Sequence, residues 1–273
     1  MEESSGQNTS AQLAHAVARV LKEGASAVLA TVVEAPRGVG AKVLLEEAGA
    51  RAGTTGDAAL DEALGHQARA FLASRAEAQT LRVAEFAPAL ADWREARVMF
   101  ERVEPEPRVV VCGAGHVGAS LARLAHAAGY RVTLIDDRAD FVARERFPEV
   151  GIELVAAPNW ADPLKELIGN GRGVHVAVVT RGHNEDEECM RAVLAARPDY
   201  VGMIGSRRRT NIVLARLREA GFDEESLNRV RAPIGLDIGA VSPEEVALSV
   251  LAEIVAHRRG GTGRPLSEWR RQK

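Results

Sequence analysis

Gly113, Gly115 and Gly118 stand in the order G-x-G-x-x-G, and Asp136 closes the next apolar run of the chain. These residue types at this spacing suit a phosphate and a ribose. Gly113 permits a tight turn, Gly115 has no side chain to keep a phosphate off the backbone, and Gly118 lets a helix pack closely on a strand. The first amides of that helix point at an anion, helped by the helix dipole. Asp136 can accept from a ribose diol, with Asp137 and Arg138 completing the same tip. His116, inside the turn, can donate to an anion or brace a neighbouring loop.

Two further clusters follow. Gly182 and His183 come directly after an all-but-apolar run, where a loop histidine serves a ligand or an ordinary loop hydrogen bond. Gly205, Ser206 and Arg207, with Arg208 and Arg209 behind them, open a helix. They can form a second anion site from amides, a hydroxyl and guanidinium forks. Positive charge opposes the dipole at a helix start, which favours a bound anion over a merely solvated turn. The acids at 185–188 are explained by that dipole without a metal. Cys112, beside the glycine turn, could carry sulfur, but buried cysteine is more often a small apolar residue. Cys189 lies on a helix face expected to be core.

The elements that must position these groups read off the periodicity. A strand at 109–112, the glycine turn, a helix and a strand at 132–135 form one βαβ unit. Strands at 152–155, 174–180 and 200–204 alternate with helices at 163–168, 185–196 and 207–220. Ser242-Pro243-Glu244-Glu245 is a capping box with proline at the first helical position, opening a helix to residue 257. This predicts a Rossmann-like, doubly wound parallel sheet. The loops at 113–118, 136–138, 180–184 and 205–209 then all fall at carboxyl ends of strands, where open sheets bind ligands.

The first hundred residues read differently. Residues 1–9 show no apolar period and are expected to be disordered, and Ser10 caps a helix to residue 23. Strands follow at 27–33 and 41–45, Asp57 caps a helix to residue 74, and strands return at 81–86 and 97–103. Glu104-Pro105-Glu106-Pro107 resists helix and central strand alike. The expectation is a smaller N-terminal α+β domain at 10–103 and a cofactor-binding domain at 108–260.

The composition narrows the function. A net charge of -3 over 273 residues gives no basic footprint for nucleic acid. No apolar run is long enough for a membrane span. The acidic, polar start is unlike a signal peptide, so a cytoplasmic location is expected. Two cysteines give neither a metal knuckle nor a disulfide framework. From the residues alone, an NAD(P)-dependent oxidoreductase and a nucleotide-sensing domain both remain open, and no catalytic residue or metal ligand is assigned.

GAGHVG at 113–118, LIDDR at 134–138, YVGMIGSRRR at 200–209 and APIGLDIGAVSPEEVALSVLAEIVAHR at 232–258 together resemble the xanthine dehydrogenase accessory factors, the XdhC/CoxI family. LATVVEAPRGVGAKVLL at 29–45 is similar to that family's N-terminal segment. The resemblance implies a maturation factor, not itself an evident enzyme. Such a factor binds molybdenum cofactor (molybdopterin) as cargo, protects it while a terminal oxo ligand is exchanged for sulfur, and delivers it to an apo molybdenum hydroxylase. It implies a cysteine desulfurase as sulfur donor, and a homodimer is compatible with it. One departure stands out. Family members often carry a cysteine in a glycine-rich loop after that N-terminal run. Here the comparable place, Gly53-Thr54-Thr55-Gly56-Asp57, has none.

Overall fold

A computed structural model describes residues 2–74 and 76–267, with side chains described outside residues 2–10 and His183. The chain divides into two compact units between Pro105 and Glu106.

The first unit is an antiparallel sheet with helices. It contains α1 (Glu2–Lys22), β1 (Ala27–Glu34), β2 (Lys42–Glu46), β3 (Arg51–Gly53), α2 (Ala58–Ala73), β4 (Ala78–Arg82), α3 (Val83–Phe86) and β5 (Arg97–Val103). The strand order is β3-β2-β1-β5-β4. Its core packs Phe71 of α2 and Phe100 of β5 with Leu60, Leu64 and Trp93. Two expectations are corrected. The first helix starts at Glu2, so residues 2–9, expected to be disordered, and Ser10, expected to cap the helix, all lie within it. The strand expected at 81–86 ends at Arg82, and Val83–Phe86 turns into helix. The Glu85 carboxylate accepts from the Arg82 amide at 3.0 Å and closes that turn.

The loop that lacks the cysteine is built around a buried acid. Asp61, on the first turn of α2, accepts from the hydroxyls of Thr54 (2.6 Å) and Thr55 (2.7 Å) and from the Thr55 amide (2.8 Å). Asp57 caps α2 through the amides of Ala59 and Leu60 and accepts from the Trp93 indole at 2.8 Å. The indole bond first, then the Leu60 amide, hold its carboxyl below the usual range.

The second unit is the doubly wound sheet. Its elements are β6 (Arg108–Cys112), α4 (His116–Ala127), β7 (Arg131–Asp136), β8 (Ile152–Ala156), α5 (Ala161–Ile168), β9 (Val174–Val178), α6 (His183–Ala196), β10 (Tyr200–Met203), α7 (Arg207–Glu219), α8 (Glu224–Asn228) and α9 (Pro243–Arg259). All neighbouring strands are parallel, in the order β10-β9-β6-β7-β8. The chain order reverses between β6 and β9, which makes the crevice beyond their carboxyl ends the switch point. β9 is buried along its whole length, as a strand covered on both faces must be. Leu121, Ala122 and Ala125 of α4 pack with Val250, Leu251 and Ile254 of α9 on one face. Cys189, Met190 and Val193 of α6 pack with Leu164 and Val213 on the other. Val179 and Thr180 lie beyond β9 and already belong to the rim. The short helix α8 and a 3-10 turn at Ala139–Val142 carry no clear period and were not expected from the pattern.

Candidate functional site

The site is built from four loops at the carboxyl ends of β6, β7, β9 and β10, and their bonds show that they meet. The Gly113 amide donates to the Ile135 carbonyl at 2.7 Å, Val179 to Cys112 at 2.8 Å, and Ile204 to Val178 at 2.8 Å.

Each glycine of the turn has a different reason to be glycine. Gly113 has φ +112, and a Cβ there would lie 2.7 Å from the Val179 carbonyl oxygen. A Cβ on Gly118 would lie 1.8 Å from the Gly113 oxygen, so the close seat of α4 on β6 forbids it. Gly115 caps α4 with ordinary φ, and nothing lies within 4 Å of where its Cβ would be. It faces open space at the positive end of a helix dipole. His116 is the first residue of α4 and is exposed.

At the tip of β7, the acid faces inward. Asp136 is 1% exposed and accepts from the Ala114 amide through Oδ2 at 2.6 Å. Arg138 donates its own amide (3.0 Å) and Nε (2.8 Å) to Oδ1, and Nη2 (3.0 Å) to Oδ2. Burial works to raise the carboxyl's pKa, but the bonds from Arg138 and Ala114 outweigh it and hold it below the usual value. The Arg138 guanidinium carbon lies 3.4 Å from the centroid of the Phe141 ring. Asp137 is held by Arg181 of the β9 loop in a fork, at 3.0 Å and 2.9 Å. Arg181 also pairs with Glu185 at 3.4 Å.

The β9 and β10 loops are joined beneath the surface. Asp186 is fully buried and accepts from the Thr180 hydroxyl and from Arg209 Nε. Gly182 caps α6, and a Cβ there would meet Glu185 Oε2 at 2.3 Å. His183 opens α6, and its side chain lies outside the described residues. Ser206 caps α7, its hydroxyl accepting from the Arg209 amide at 3.3 Å, and a Cβ on Gly205 would lie 3.4 Å from the Arg209 chain. Arg207 and Arg208 are exposed, whereas Arg209 turns inward to Asp186.

Arg181 does not stand out in the sequence, and Asp186, read there only as one of the acids at 185–188 explained by the helix dipole, instead turns inward to Arg209. Arg181 sits in a loop with no period to mark it. Asp186 does carry a signal: it precedes Cys189, Met190 and Val193 by three, four and seven residues, so helical spacing puts it on the buried face. Cys112 and Cys189 are both fully buried. Burial first, and then the neighbouring Cys112, push the Cys189 thiol well up. Among the described residues, no group of three or more His, Cys, Asp or Glu is arranged to hold a metal ion, and no helix is long and apolar enough to cross a membrane.

Residues 109–254 match the family model described as the XdhC Rossmann domain, and residues 20–84 match the model of the XdhC and CoxI family. The chain is 33% identical over 158 residues to the uncharacterized protein YqeB of Escherichia coli strain K12, covering 58% of this chain and 28% of that protein. It is 29% identical over 162 residues to a probable xanthine dehydrogenase subunit of Bacillus subtilis strain 168, covering 59% and 46%. It is 36% identical over 84 residues to the molybdenum cofactor insertion chaperone PaoD of Escherichia coli strain K12, covering 30% and 26%. The matches thus span less than half the length of each of these curated relatives. A solved structure described as a xanthine dehydrogenase from Bacillus halodurans shares the fold, with a TM-score of 0.51 at 16% identity over 93% of this chain and 96% of that one.

Proposed function

Because the chain belongs to the XdhC and CoxI family, we propose that it is an accessory factor that carries molybdenum cofactor to a xanthine dehydrogenase-type hydroxylase. In this reading the cofactor is cargo. The glycine turn holds its phosphate, the bound pterin is sheltered while a cysteine desulfurase supplies sulfur, and the apo-hydroxylase receives the finished cofactor. The protein acts in the cytoplasm, as a homodimer, and turns over no substrate of its own. The names of the Bacillus and Escherichia relatives support this assignment.

The observation that carries it is the open space in front of Gly115, at the start of α4 and at the switch point of the sheet. Gly113 and Gly118 are cradled too tightly for any side chain, while Gly115 leaves the approach clear, which supports a phosphate bound at this turn. Both cysteines of the chain are buried, so sulfur passes from donor to cofactor without a persulfide on this protein.

The test is purification from a molybdenum-replete host, with metal and oxidised-pterin analysis of the product, followed by addition to an apo-hydroxylase. Near-stoichiometric pterin and restored hydroxylase activity are expected. Retention of no pterin, together with quenching of NADH fluorescence and substrate-dependent NADH oxidation, would replace this reading with that of an NAD(P)-dependent oxidoreductase.

A further inference from the structure

We infer that the tip of β7 selects a phosphomonoester and rejects a ribose diol, with Arg138 as the residue that decides between them. The inference rests on the reading that this rim is the ligand site.

A dinucleotide-binding acid at this position must offer free lone pairs to the ribose hydroxyls. Asp136 has none to offer. A carboxylate has about four acceptor positions, and Asp136 fills them with the Ala114 amide, the Arg138 amide, Arg138 Nε and Arg138 Nη2. Its 1% exposure places it beneath the rim, not on it. The neighbouring acid is already engaged, because the Arg181 fork reaches both oxygens of Asp137. A diol arriving here would have to break charge-assisted bonds to be recognised.

An anion meets the opposite situation. Arg138 carries five N–H donors and uses only Nε and one hydrogen of Nη2 on Asp136. Its side chain is 33% exposed, and stacking on Phe141 fixes the plane in which the remaining donors lie. Arg181 is shared between Asp137 and Glu185, the two carboxylates that would otherwise repel an incoming phosphate from this corner. The tip therefore offers a rigid guanidinium beside carboxylates that are already paired. Planar forks of this kind match phosphate oxygens. A 2′-phosphorylated nucleotide, with one phosphate for the glycine turn and a second for this tip, has the chemistry required, and an unphosphorylated adenosine ribose does not.

Two soluble probes that differ only in this group separate the cases: 2′-phospho-ADP-ribose and ADP-ribose, titrated calorimetrically into the full-length protein. The phosphorylated probe is expected to bind at least about tenfold tighter. Arg138→Ala should erase or invert that ratio, because it removes the cation and frees the Asp136 carboxylate for a diol. Arg138→Lys keeps the charge without the fork and should keep part of the preference. Arg181→Ala, at an exposed side chain, should weaken the phosphorylated probe while leaving the fold intact. Equal or tighter binding of ADP-ribose by the parent protein, or no binding of the phosphorylated probe at millimolar concentration, would overturn the inference. Neither result bears on pterin copurification, so the carrier reading stands or falls separately. Conversely, a preparation without pterin that still prefers the phosphorylated probe supports the selectivity and removes only the cargo.

Discussion

Arg209 reaches from the first turn of α7 to Asp186 at the start of α6, with Nε 2.5 Å from Oδ2 of a carboxylate that has no exposed surface. Arg209 Nη2 also donates to the Thr180 carbonyl at 3.2 Å. One buried ion pair thus ties the β9 loop to the β10 loop and fixes half of the rim. Removing one partner of such a pair leaves an uncompensated charge, so Asp186→Ala should destabilise the second unit by about 3–5 kcal/mol. Asp186→Leu with Arg209→Met should cost clearly less than the sum of the single changes, since neither charge is then stranded. Urea unfolding of the four proteins checks this. Additive losses would mean that the two side chains do not act as a pair.

The glycines of the turn separate stability from binding. Gly118→Ala puts a methyl group 1.8 Å from the Gly113 oxygen, so α4 must lift off β6. A loss of about 1–3 kcal/mol or more is expected from such overpacking. Gly115→Ala meets no atom within 4 Å and keeps an ordinary backbone conformation. Its stability should stay within about 0.5 kcal/mol of the parent. Its methyl group, however, occupies the approach to the helix amides, so ligand retention should fall at least about tenfold. Thermal melts alongside pterin content distinguish the two variants, and a Gly115→Ala protein that keeps its ligand would place the phosphate elsewhere.

The parts of this molecule that are legible in sequence are those set by local rules. The strand, turn and helix from 109 onward follow from a period of two giving way to glycine and then to a period near four, and the parallel sheet appears where they imply it. The side-chain partners of the rim are not local. Arg138 could equally face water, and only the buried placement of Asp136 turns it inward. Arg181 reaches Asp137 across 44 residues of chain, a register that no short-range pattern encodes. The break at Arg82 is missed for a related reason: Leu81 to Phe86 has strand-like composition, but a carboxylate from Glu85 closes a turn that competes with extension. Asp186 is the instructive case, because its helical spacing points it inward while its charge argues for the surface. The spacing decides, since Arg209 is there to meet it.

The start of α9 gives a smaller, independent check. Ser242 accepts from the Glu245 amide at 3.2 Å, and the Glu245 carboxylate returns to the amides of Val241 and Ser242. Those amide bonds, Ser242 first, hold the Glu245 carboxyl below its usual range. Ser242→Ala should cost about 1 kcal/mol, typical of a lost N-cap, because α9 packs on α4 and must form for the sheet to be covered. Ser242→Asp should restore most of it. Chemical unfolding followed by far-ultraviolet circular dichroism reads both. A Ser242→Ala protein as stable as the parent would show that packing alone sets the helix start.

At the other end of the sheet, His175 gives the second unit a pH dependence of predictable sign. It is 3% exposed at the start of β9, its ring 6.2 Å from those of Tyr130 and Tyr200 and 6.3 Å from that of His257. Burial holds its pKa below the ordinary value, against the opposing effects of the Arg108 carbonyl and Asp199, while His257 and Arg258 reinforce it. The folded protein therefore keeps a neutral imidazole where the unfolded chain, with an ordinary value near about 6.5, already binds a proton. Because the folded value is the lower one, acid favours the unfolded state. The histidine costs no stability above about pH 6.5 and an increasing amount as pH falls through that value towards the folded pKa. Unfolding free energies measured between about pH 8 and pH 5 should decline more steeply for the parent protein than for His175→Gln, which cannot titrate. If the two proteins lose stability in parallel over that range, the acid sensitivity belongs to other groups and His175 is protonated as easily folded as unfolded.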